Sequence, residues 1–348
     1  MLSNPPPRRY CHNVILFRYE ENGREIAFEQ FELSAPEVQF VCPKISAPEW
    51  QISENRLFVY FNGGYLIYDA DEGRIVKYVY GGKNLFNQAP MGDKGINVTL
   101  FRAPLDNDMY LKKNWLKNGL DREAFVTKKA GNVNNSFDIK GNALVITNTY
   151  VLKTPCAGKL GTFTLSYSVY KTGKILVNVQ SNSAVNKIKL IPRFGVTIEM
   201  PDRFEHVQYY GMGPMQSLSD FSKHCYTDIF ETAVSAMHED YIKPQESSCR
   251  TDTRWAQITD EDGIGLRFEA VKNPFVFSAD PYTSQMCAKA THRDFLPAKG
   301  TTCVHIDAEL MGAGSNSCGP KPRKEHRISG MSSKSFSFSL EPIGNGND

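Results

Sequence analysis

The sequence lacks several patterns that mark common functional classes. None of its eight cysteines belongs to a CxxC pair, which argues against zinc ribbons and thioredoxin-type redox sites. No apolar run approaches the ~18 residues that span a membrane, and no long Lys/Arg run interleaves with aromatic residues as in nucleic-acid-binding proteins. The chain also has no βαβ alternation, GxGxxG fingerprint or P-loop. Membrane and nucleic-acid partners are therefore not expected.

The net charge, the N-terminal residues and the cysteines together indicate the cellular compartment. The 348 residues carry a formal net charge of +2, which is close to balance. The N-terminal segment places Pro5, Pro6 and Pro7 where a signal peptide would need an apolar stretch. Several cysteines lie inside apolar strand patterns, where a free thiol behaves as a small hydrophobic group. These features predict a cytoplasmic protein with reduced cysteines.

Alternation of apolar and polar residues is the dominant pattern. Phe163, Leu165 and Tyr167 alternate with Thr164 and Ser166, and the same period resumes at residues 175–179 after a Thr-Gly turn. Such a pair of segments predicts a β-hairpin with one buried face. Comparable segments predict further strands at residues 13–18, 26–33, 57–61, 65–68, 75–80, 144–151, 188–191, 196–200, 255–258, 264–270, 304–310 and 336–340.

Helical patterns are few. Residues 108–120 form the best candidate helix, with Gly119 as its C-terminal cap, and residues 285–291 suit a helical turn. Turn residues recur at the short spacing typical of β-sandwiches. We therefore predict an all-β, large antiparallel sandwich. A boundary is expected near residue 35, since the two strands before it would be marginally stable alone.

One segment is too specific for a generic strand and turn: residues 101–108 read FRAPLDND. Further motifs follow: YYGMGP at 209–214, YIKPQE at 241–246, RW at 254–255, FSA at 277–279, ATH at 290–292 and MGAGSNSCGP at 311–320. Together, and in this order, they resemble the C-terminal domain of glycoside hydrolase family 2 β-galactosidases. EIAFEQF at 25–31 resembles the last strand of the immunoglobulin-like domain that precedes it.

The resemblance covers essentially the whole chain and implies a fold. Residues 36–348 would form the super-sandwich of the galactose mutarotase-like type, also called the small-chain domain of the family. Residues 1–35 would be the terminal strands of an immunoglobulin-like β-sandwich whose earlier strands are missing. The alternating strands agree with the first of these expectations independently.

The resemblance also implies where catalysis occurs. A retaining glycosidase needs two carboxyl groups about 5–5.5 Å apart, and in this family both lie on a TIM barrel together with the magnesium ligands. Such a barrel takes about 250 residues of alternating strands and helices, and no such region is present here. We expect no catalytic residue and no cofactor in this chain, with Mg²⁺ only in a catalytic barrel chain or domain that acts as its partner.

Two loops are implied to contact the galactoside. The first supplies Asn107, Met109 and Tyr110, in a loop that is mobile in the family. Well-studied members have Gly where this chain has Tyr110. This difference puts in question whether the loop moves here as it does in the family, and stacking of Tyr110 on a sugar is the other possibility. The second loop supplies Asn316 and Cys318. Some members have Trp at the latter position, and Cys offers far less contact area, so a buried structural Cys318 is the alternative.

Other motif residues are expected to shape the loops through turn capping, strand-end hydrogen bonds and an Arg–Asp pair. They are Arg102, Asp106, Asp108, Gly213, Pro214, Pro244, Glu246 and His292.

Three functions remain open at this stage. The first is the C-terminal part of a β-galactosidase, an enzyme that hydrolyses terminal β-D-galactosides such as lactose. In that case the chain would bind carbohydrate and form an active-site wall without supplying the catalytic glutamates, and assembly into a homo-oligomer stays open. The second is a stand-alone carbohydrate-binding module or an inactive truncated product. The third is a mutarotase-type epimerase that uses His238 or His292 with Glu246. Unpaired edges on the strands before residue 36 favour the first, because such edges require a partner.

Overall fold

The computed structural model describes residues 13–35, 40–89, 92–93, 95–127, 136–182, 184–185 and 188–344. Strands dominate this part of the chain, and every strand pairing in it is antiparallel. The predicted all-β, antiparallel class is therefore confirmed.

The strands and helices follow one another along the chain. The first ten strands are β1 Asn13–Glu21, β2 Arg24–Ser34, β3 Glu49–Ser53, β4 Arg56–Phe61, β5 Gly64–Asp69, β6 Arg74–Tyr80, β7 Lys83–Asn84, β8 Gln88–Ala89, β9 Gly92–Asp93 and β10 Asn97–Thr99. Next come α1 Leu111–Lys117, β11 Ala124–Thr127, β12 Ser136–Lys140, β13 Ala143–Thr154, β14 Gly158–Tyr170, β15 Ile175–Ser181, β16 Leu190–Ile191, β17 Arg193–Met200, β18 His206–Gly213 and β19 Tyr226–Ala233. The remainder is α2 Val234–Met237, β20 Arg250–Thr253, β21 Trp255–Thr259, β22 Gly265–Ala270, β23 Phe275–Asp280, α3 Ser284–Lys289, β24 Thr302–Leu310, β25 Ile328–Ser329 and β26 Ser335–Ile343.

Three larger sheets organise these strands. A ten-stranded sheet has the order β11-β13-β14-β15-β26-β22-β21-β18-β19, with β12 also paired to β13. One five-stranded sheet runs β10-β17-β24-β23-β20, and the other runs β3-β4-β5-β6-β7. The last strand, β26, joins the two halves of the ten-stranded sheet, because it pairs with β15 on one side and with β22 on the other.

The hairpin predicted from alternation is present as β14 and β15. Leu165 lies opposite Val179, and Tyr167 lies opposite Val177. These side chains are buried while the intervening ones are partly exposed. Period-2 sequence therefore produces a strand pair with one face on the core, because successive residues in a strand point to opposite faces.

A single hydrophobic cluster joins all three larger sheets. It includes Leu66 of β5, Val177 of β15 and Val196 of β17, each almost fully buried. Since one contiguous cluster defines one core, the sheets between β4 and β26 share their interior.

The predicted helix at 108–120 is shorter than expected. An α-helix occupies Leu111–Lys117, and short 3₁₀ turns flank it on both sides. Buried Trp115 anchors the helix by donating from Nε1 to the carbonyl of Leu190 at 2.8 Å. Gly119 ends the helical turn with φ of +70°, a conformation that glycine adopts without steric cost. The helical turn predicted at 285–291 is present as α3.

The strand predictions differ from the structure in two ways. The segment 188–191 is a strand only at Leu190–Ile191, since the Ile188 amide instead bonds back to the carbonyl of Val185 in a turn. Among the described strands of four or more residues, those not predicted are β3, β11, β12, β18, β19, β20 and β23. Strand β19 lies at the edge of its sheet and exposes Ile229, so its residues do not alternate cleanly between buried and exposed.

The β1–β2 hairpin, predicted as two strands, pairs only with itself among the described strands. It contacts the rest of the chain near β19, where the Gln30 side chain bonds both the amide and the carbonyl of Thr227, each at 2.8 Å. The predicted division between residues 1–35 and 36–348 borders residues 36–39, which lie outside the described residues. That division stays a prediction.

Candidate functional site

Four segments distant in sequence converge on one cavity of about 330 Å³. Its lining includes Arg102 and Asn107 from the FRAPLDND motif and Gly314 from the MGAGSNSCGP loop. Residues 241–249 supply a third wall, and residues 216–221 supply the fourth. The volume lies within the ~300–1,000 Å³ typical of small-molecule sites. This cavity is the candidate functional site.

The floor of the cavity rests on a buried ion pair. The guanidinium Nη2 of Arg102 lies 3.0 Å from each carboxylate oxygen of Asp108, and both side chains are fully buried. Arg102 also donates to the main-chain carbonyls of Met311 and Gly312. One arginine thus ties the first motif to the last, since a planar guanidinium can serve several acceptors at once.

A second buried arginine, Arg193 of β17, holds the lining residue Glu246 in place. It donates to Glu246 Oε1 at 2.5 Å and to Asp307 Oδ2 at 2.9 Å. Burial alone would lower the pKa of Arg193, but the carboxylates of Asp307 and Glu246 outweigh burial and raise that pKa above its ordinary value. The guanidinium therefore stays charged. Burial raises the pKa of the Asp307 carboxyl to about 7, even though the charge of Arg193 opposes that rise.

Neighbouring donors engage both carboxylate oxygens of Glu246. Besides the bond from Arg193 to Oε1, Oε2 accepts from the Ala103 amide at 3.0 Å and from Ser284 Oγ at 3.1 Å. Beside it, burial raises the pKa of the Cys249 thiol, so this cavity-lining cysteine stays neutral.

The Gly-rich loop at 312–320 is held from two sides. Asn107 donates to the carbonyl of Gly314 at 2.7 Å and accepts from the Ser317 hydroxyl at 2.6 Å. Asp220 accepts from the amides of Ala313 and Gly314 at 2.7 and 2.8 Å. Because a side chain bonded to main-chain groups replaces loop–water hydrogen bonds, these contacts hold the loop in one shape.

Apolar surface lines the open side of the cavity. Leu218, Phe221 and Tyr241 are among the lining residues, and the Phe221 side chain is 49% exposed. The Tyr241 hydroxyl accepts from Gln216 Nε2 at 2.6 Å. A cavity with aromatic walls and a few fixed polar groups is the usual form of a small-ligand site.

The predicted substrate-binding residues do not all meet in the cavity. Asn107 lines it, whereas exposed Met109 and Tyr110 lie outside its lining, and the Tyr110 ring faces Lys113 Nζ at 5.7 Å. Asn316 is buried, and its Nδ2 has no hydrogen-bond partner among the described residues. Cys318 is an exposed free thiol outside the lining. Their roles stay predictions.

The predicted motif residues occupy structural positions around the cavity. Asp106 is exposed, and its amide donates to Gln245 Oε1 at 2.9 Å. Gly213 ends β18 and is joined to Pro214 by a cis peptide bond. Pro244 is buried just before Gln245.

The histidines proposed for an epimerase have other partners. His238 Nδ1 lies 2.9 Å from Asp280 Oδ2, and this carboxylate contributes to a raised His238 pKa even though burial opposes it. His292 Nδ1 accepts from the Asp294 amide at 3.3 Å. With Glu246 engaged by Arg193, no hydrogen bond in the described part of the chain joins Glu246 to either histidine.

Sequence reasoning missed several lining residues, including Leu218, Phe221, Gln245 and Cys249. Phe221 lies in a loop with no periodic pattern, so only its position seven residues beyond the YYGMGP motif could have drawn attention to it. Arg193 was also missed. It begins a strand whose visible pattern is apolar.

Two absences apply to the described residues. They contain no group of three or more His, Cys, Asp and Glu side chains that could hold a metal ion. They also contain no helix long and apolar enough to cross a bilayer.

Comparisons with known proteins place this geometry in context. The family profile described as "Beta galactosidase small chain" matches residues 63–340. A β-galactosidase of Staphylococcus xylosus is 26% identical over 334 residues, covering 94% of this chain and 32% of the relative. A β-galactosidase of Actinobacillus pleuropneumoniae is 24% identical, covering 88% of this chain and 29% of the relative. The chain thus spans about a third of the length of the curated relatives it matches.

Solved structures with similar folds are more distant. A galactose mutarotase related enzyme from Lactobacillus acidophilus has a TM-score of 0.45 and 9% identity, covering 84% of this chain and 99% of its own. A galactose mutarotase-like protein from Lactobacillus casei has a TM-score of 0.40 and 9% identity, covering 83% of this chain and all (100%) of its own.

Proposed function

Because this chain belongs to the β-galactosidase small-chain family, we propose that it forms one wall of a galactoside-binding site while the bond-cleaving carboxyl groups lie elsewhere in the assembled enzyme. The full reaction would be hydrolysis of terminal β-D-galactosides such as lactose, in the cytoplasm. The partner would be a catalytic barrel chain or domain, and any Mg²⁺ would bind there.

The observation that carries this proposal is how Glu246, which lines the cavity, and Asp108, which lies beneath it, are engaged. Asp108 is paired with Arg102, and Glu246 is paired with Arg193 and two further donors. Glycoside cleavage by a retaining enzyme needs two carboxyl groups about 5–5.5 Å apart that both reach the sugar. Side chains held by buried arginines and main-chain donors suit the scaffolding of a site better than attack on a glycosidic bond.

The cavity also has suitable chemistry for a sugar. Phe221 and Tyr241 offer apolar faces for the C–H side of a pyranose, and Gln216 and Gln245 offer amides near them. An apolar body with a few fixed polar groups gives both contact area and orientation.

A complementation assay tests the proposal. The purified chain is mixed with a β-galactosidase truncated before the region this chain matches, and hydrolysis of o-nitrophenyl β-D-galactoside is followed. We expect activity only in the mixture. Hydrolysis by this chain alone would overturn the division of labour, and an inactive mixture that still binds galactose would favour a stand-alone binding module. Faster mutarotation of galactose by the chain alone would instead support the epimerase.

Phe221→Ala locates the sugar in the cavity. Loss of the aromatic face should raise KM of the complemented enzyme about tenfold, which corresponds to about 1.4 kcal/mol of binding. Phe295→Ala, at another exposed phenylalanine outside the cavity, is the matched control. Equal KM values for the two variants would remove Phe221 from the site.

A further inference from the structure

The sheet β10-β17-β24-β23-β20 carries polar residues on one face. Thr197 lies opposite both Asn97 and His305, and His305 lies opposite Ser278 on its other side. Directly opposed residues of antiparallel strands project to the same face, so these four side chains form one row across four strands. The residues between them, such as Val196, project to the other face and belong to the core.

A second cavity, of about 440 Å³, lies on this polar face. Thr197, Glu199 and His305 line it from the sheet, and Arg74, Glu123 and Gln285 line it from the surrounding elements. None of these six residues lines the first cavity. The two cavities share a buried partition, because Ser284 lines the second while donating at 3.1 Å to Glu246, which lines the first.

Two buried groups in the polar row have no partner among the described residues. They are Nδ1 of His305, which is only 5% exposed, and Oγ of Ser278 on the adjoining strand. Buried polar atoms in proteins are nearly always hydrogen-bonded to protein, ordered water or a ligand. Burial also lowers the pKa of His305 well below its ordinary value, so its ring stays neutral. Its Nε2 lies 3.6 Å from Cys303 Sγ, which leaves Nδ1 as the ring nitrogen that a ligand could bond.

The lining selects for an uncharged, hydroxyl-rich ligand. Arg74 and Gln285 can donate, Glu199 can accept, and the Thr197 hydroxyl can do both. An anion would meet the carboxylate of Glu199, and a metal ion would find no cluster of ligands in the described part of the chain. Sugar hydroxyls each donate and accept, which matches this mixture.

We propose that the cavity on the polar face of this five-stranded sheet is a second carbohydrate-binding site, which takes a neutral monosaccharide or a terminal sugar unit. It is separate from the galactoside wall at the first cavity. Its occupant hydrogen-bonds to Thr197 and His305 on the floor and to Gln285 at the rim.

The test is a titration of the purified full chain with D-galactose and, separately, D-glucose, followed by backbone amide NMR shifts. Wild type should show saturable shifts in β17 and β24 with at least one of these sugars. Thr197→Val should weaken that binding about tenfold, the effect of losing one hydrogen bond of about 1.4 kcal/mol. Gln285→Ala, at an exposed helical position where alanine is well tolerated, should weaken it in the same direction.

Controls separate this site from the first cavity and from general destabilisation. Thr149→Val alters a half-buried mid-strand threonine that lines neither cavity. Its hydroxyl lies 3.2 Å from Thr164 Oγ1 on a neighbouring strand, much as the Thr197 hydroxyl lies 3.5 Å from Cys303 Sγ. This variant should bind sugar like wild type. Phe221→Ala, which alters the first cavity, should also leave the affinity measured from the amide shifts of β17 and β24 unchanged. Absence of saturable shifts there, or equal affinity of Thr197→Val and Thr149→Val, would overturn the proposal. A sugar-soaked crystal with only ordered water at His305 would overturn it too.

Discussion

Two buried arginines hold the candidate site together. Transfer of a guanidinium from water into a protein interior is costly unless carboxylates and carbonyls surround it. Arg102 has Asp108 with two carbonyls, and Arg193 has Glu246, Asp307 and the Phe101 carbonyl. Removal of one partner would leave a buried charge without compensation.

Asp108→Asn is therefore expected to destabilise the chain strongly. The substitution leaves Arg102 buried beside a neutral amide, and breaking a buried pair in this way costs about 3–5 kcal/mol. Urea unfolding gives the free energy of unfolding. Asp240→Asn is the matched control, because Asp240 pairs with Arg293 on the surface, where such pairs contribute about 0–1 kcal/mol. Equal unfolding midpoints for the two variants would contradict the role assigned to Arg102.

Glu123 should make stability fall as pH rises. Burial raises the pKa of its carboxyl from 4.5 to about 7, although hydrogen bonds from Thr99 and the Leu100 amide oppose that rise. Between these two values the folded chain holds a proton that the unfolded chain has lost, so the unfolded state binds fewer protons and stability decreases with pH. Glu123→Gln removes this contribution.

The measurement for Glu123 is the free energy of unfolding at pH 5 and pH 8. The decrease between the two pH values should be smaller in Glu123→Gln than in wild type. Glu261→Gln, at an exposed turn, should behave like wild type. A Glu123→Gln curve parallel to the wild-type curve would show that this carboxyl does not carry the effect.

At the scale of elements, the β1–β2 hairpin stands apart from the three larger sheets. It exposes a row of apolar side chains, among them Phe17, Phe31 and Leu33. Its attachment to β19 includes the Gln30–Thr227 hydrogen bonds and contacts of Arg18 and Phe28 with Tyr226. Few buried contacts predict a low local free energy of opening.

Gln30→Ala should loosen this hairpin without unfolding the rest. It removes two hydrogen bonds to main-chain groups of Thr227, which together contribute about 1–3 kcal/mol. Limited proteolysis within residues 13–34 should become at least severalfold faster while the main unfolding midpoint stays unchanged. Gln51→Ala loses one bond, to Tyr60 within its own sheet, and is the control. Equal cleavage rates in the two variants would argue that other contacts hold the hairpin.

For the whole molecule, the shared core predicts cooperative unfolding of the residues between β4 and β26. Leu66→Ala truncates a fully buried side chain of the β3-β4-β5-β6-β7 sheet, at a cost of about 2–5 kcal/mol. Because that sheet shares one hydrophobic cluster with the others, the midpoint should fall equally by far-UV circular dichroism and by tryptophan fluorescence. Trp115 and Trp255, which are buried outside that sheet, report on the distant parts when the experiment is done in a Trp50→Phe background, because Trp50 lies in β3 of the same sheet. Separate transitions for the two probes would indicate independent domains.

The sequence by itself determined the all-β, antiparallel class, the strands with clear alternation and the family. Period-2 alternation is a local property, so hairpins such as β14–β15 follow from neighbouring residues alone. The family motifs are equally local, since each occupies a few consecutive positions.

Only the tertiary structure decided which segments meet. Arg102 reaches Met311 across 209 positions, and Asn107 reaches Ser317 across 210. Phe221 lines the first cavity, Arg193 supports it through Glu246, and His305 lines the second cavity, because the folded arrangement of strands and loops brings them there. Local periodicity carries no information about the order of strands in a sheet, and that order is set by how all the apolar faces bury one another in a common core.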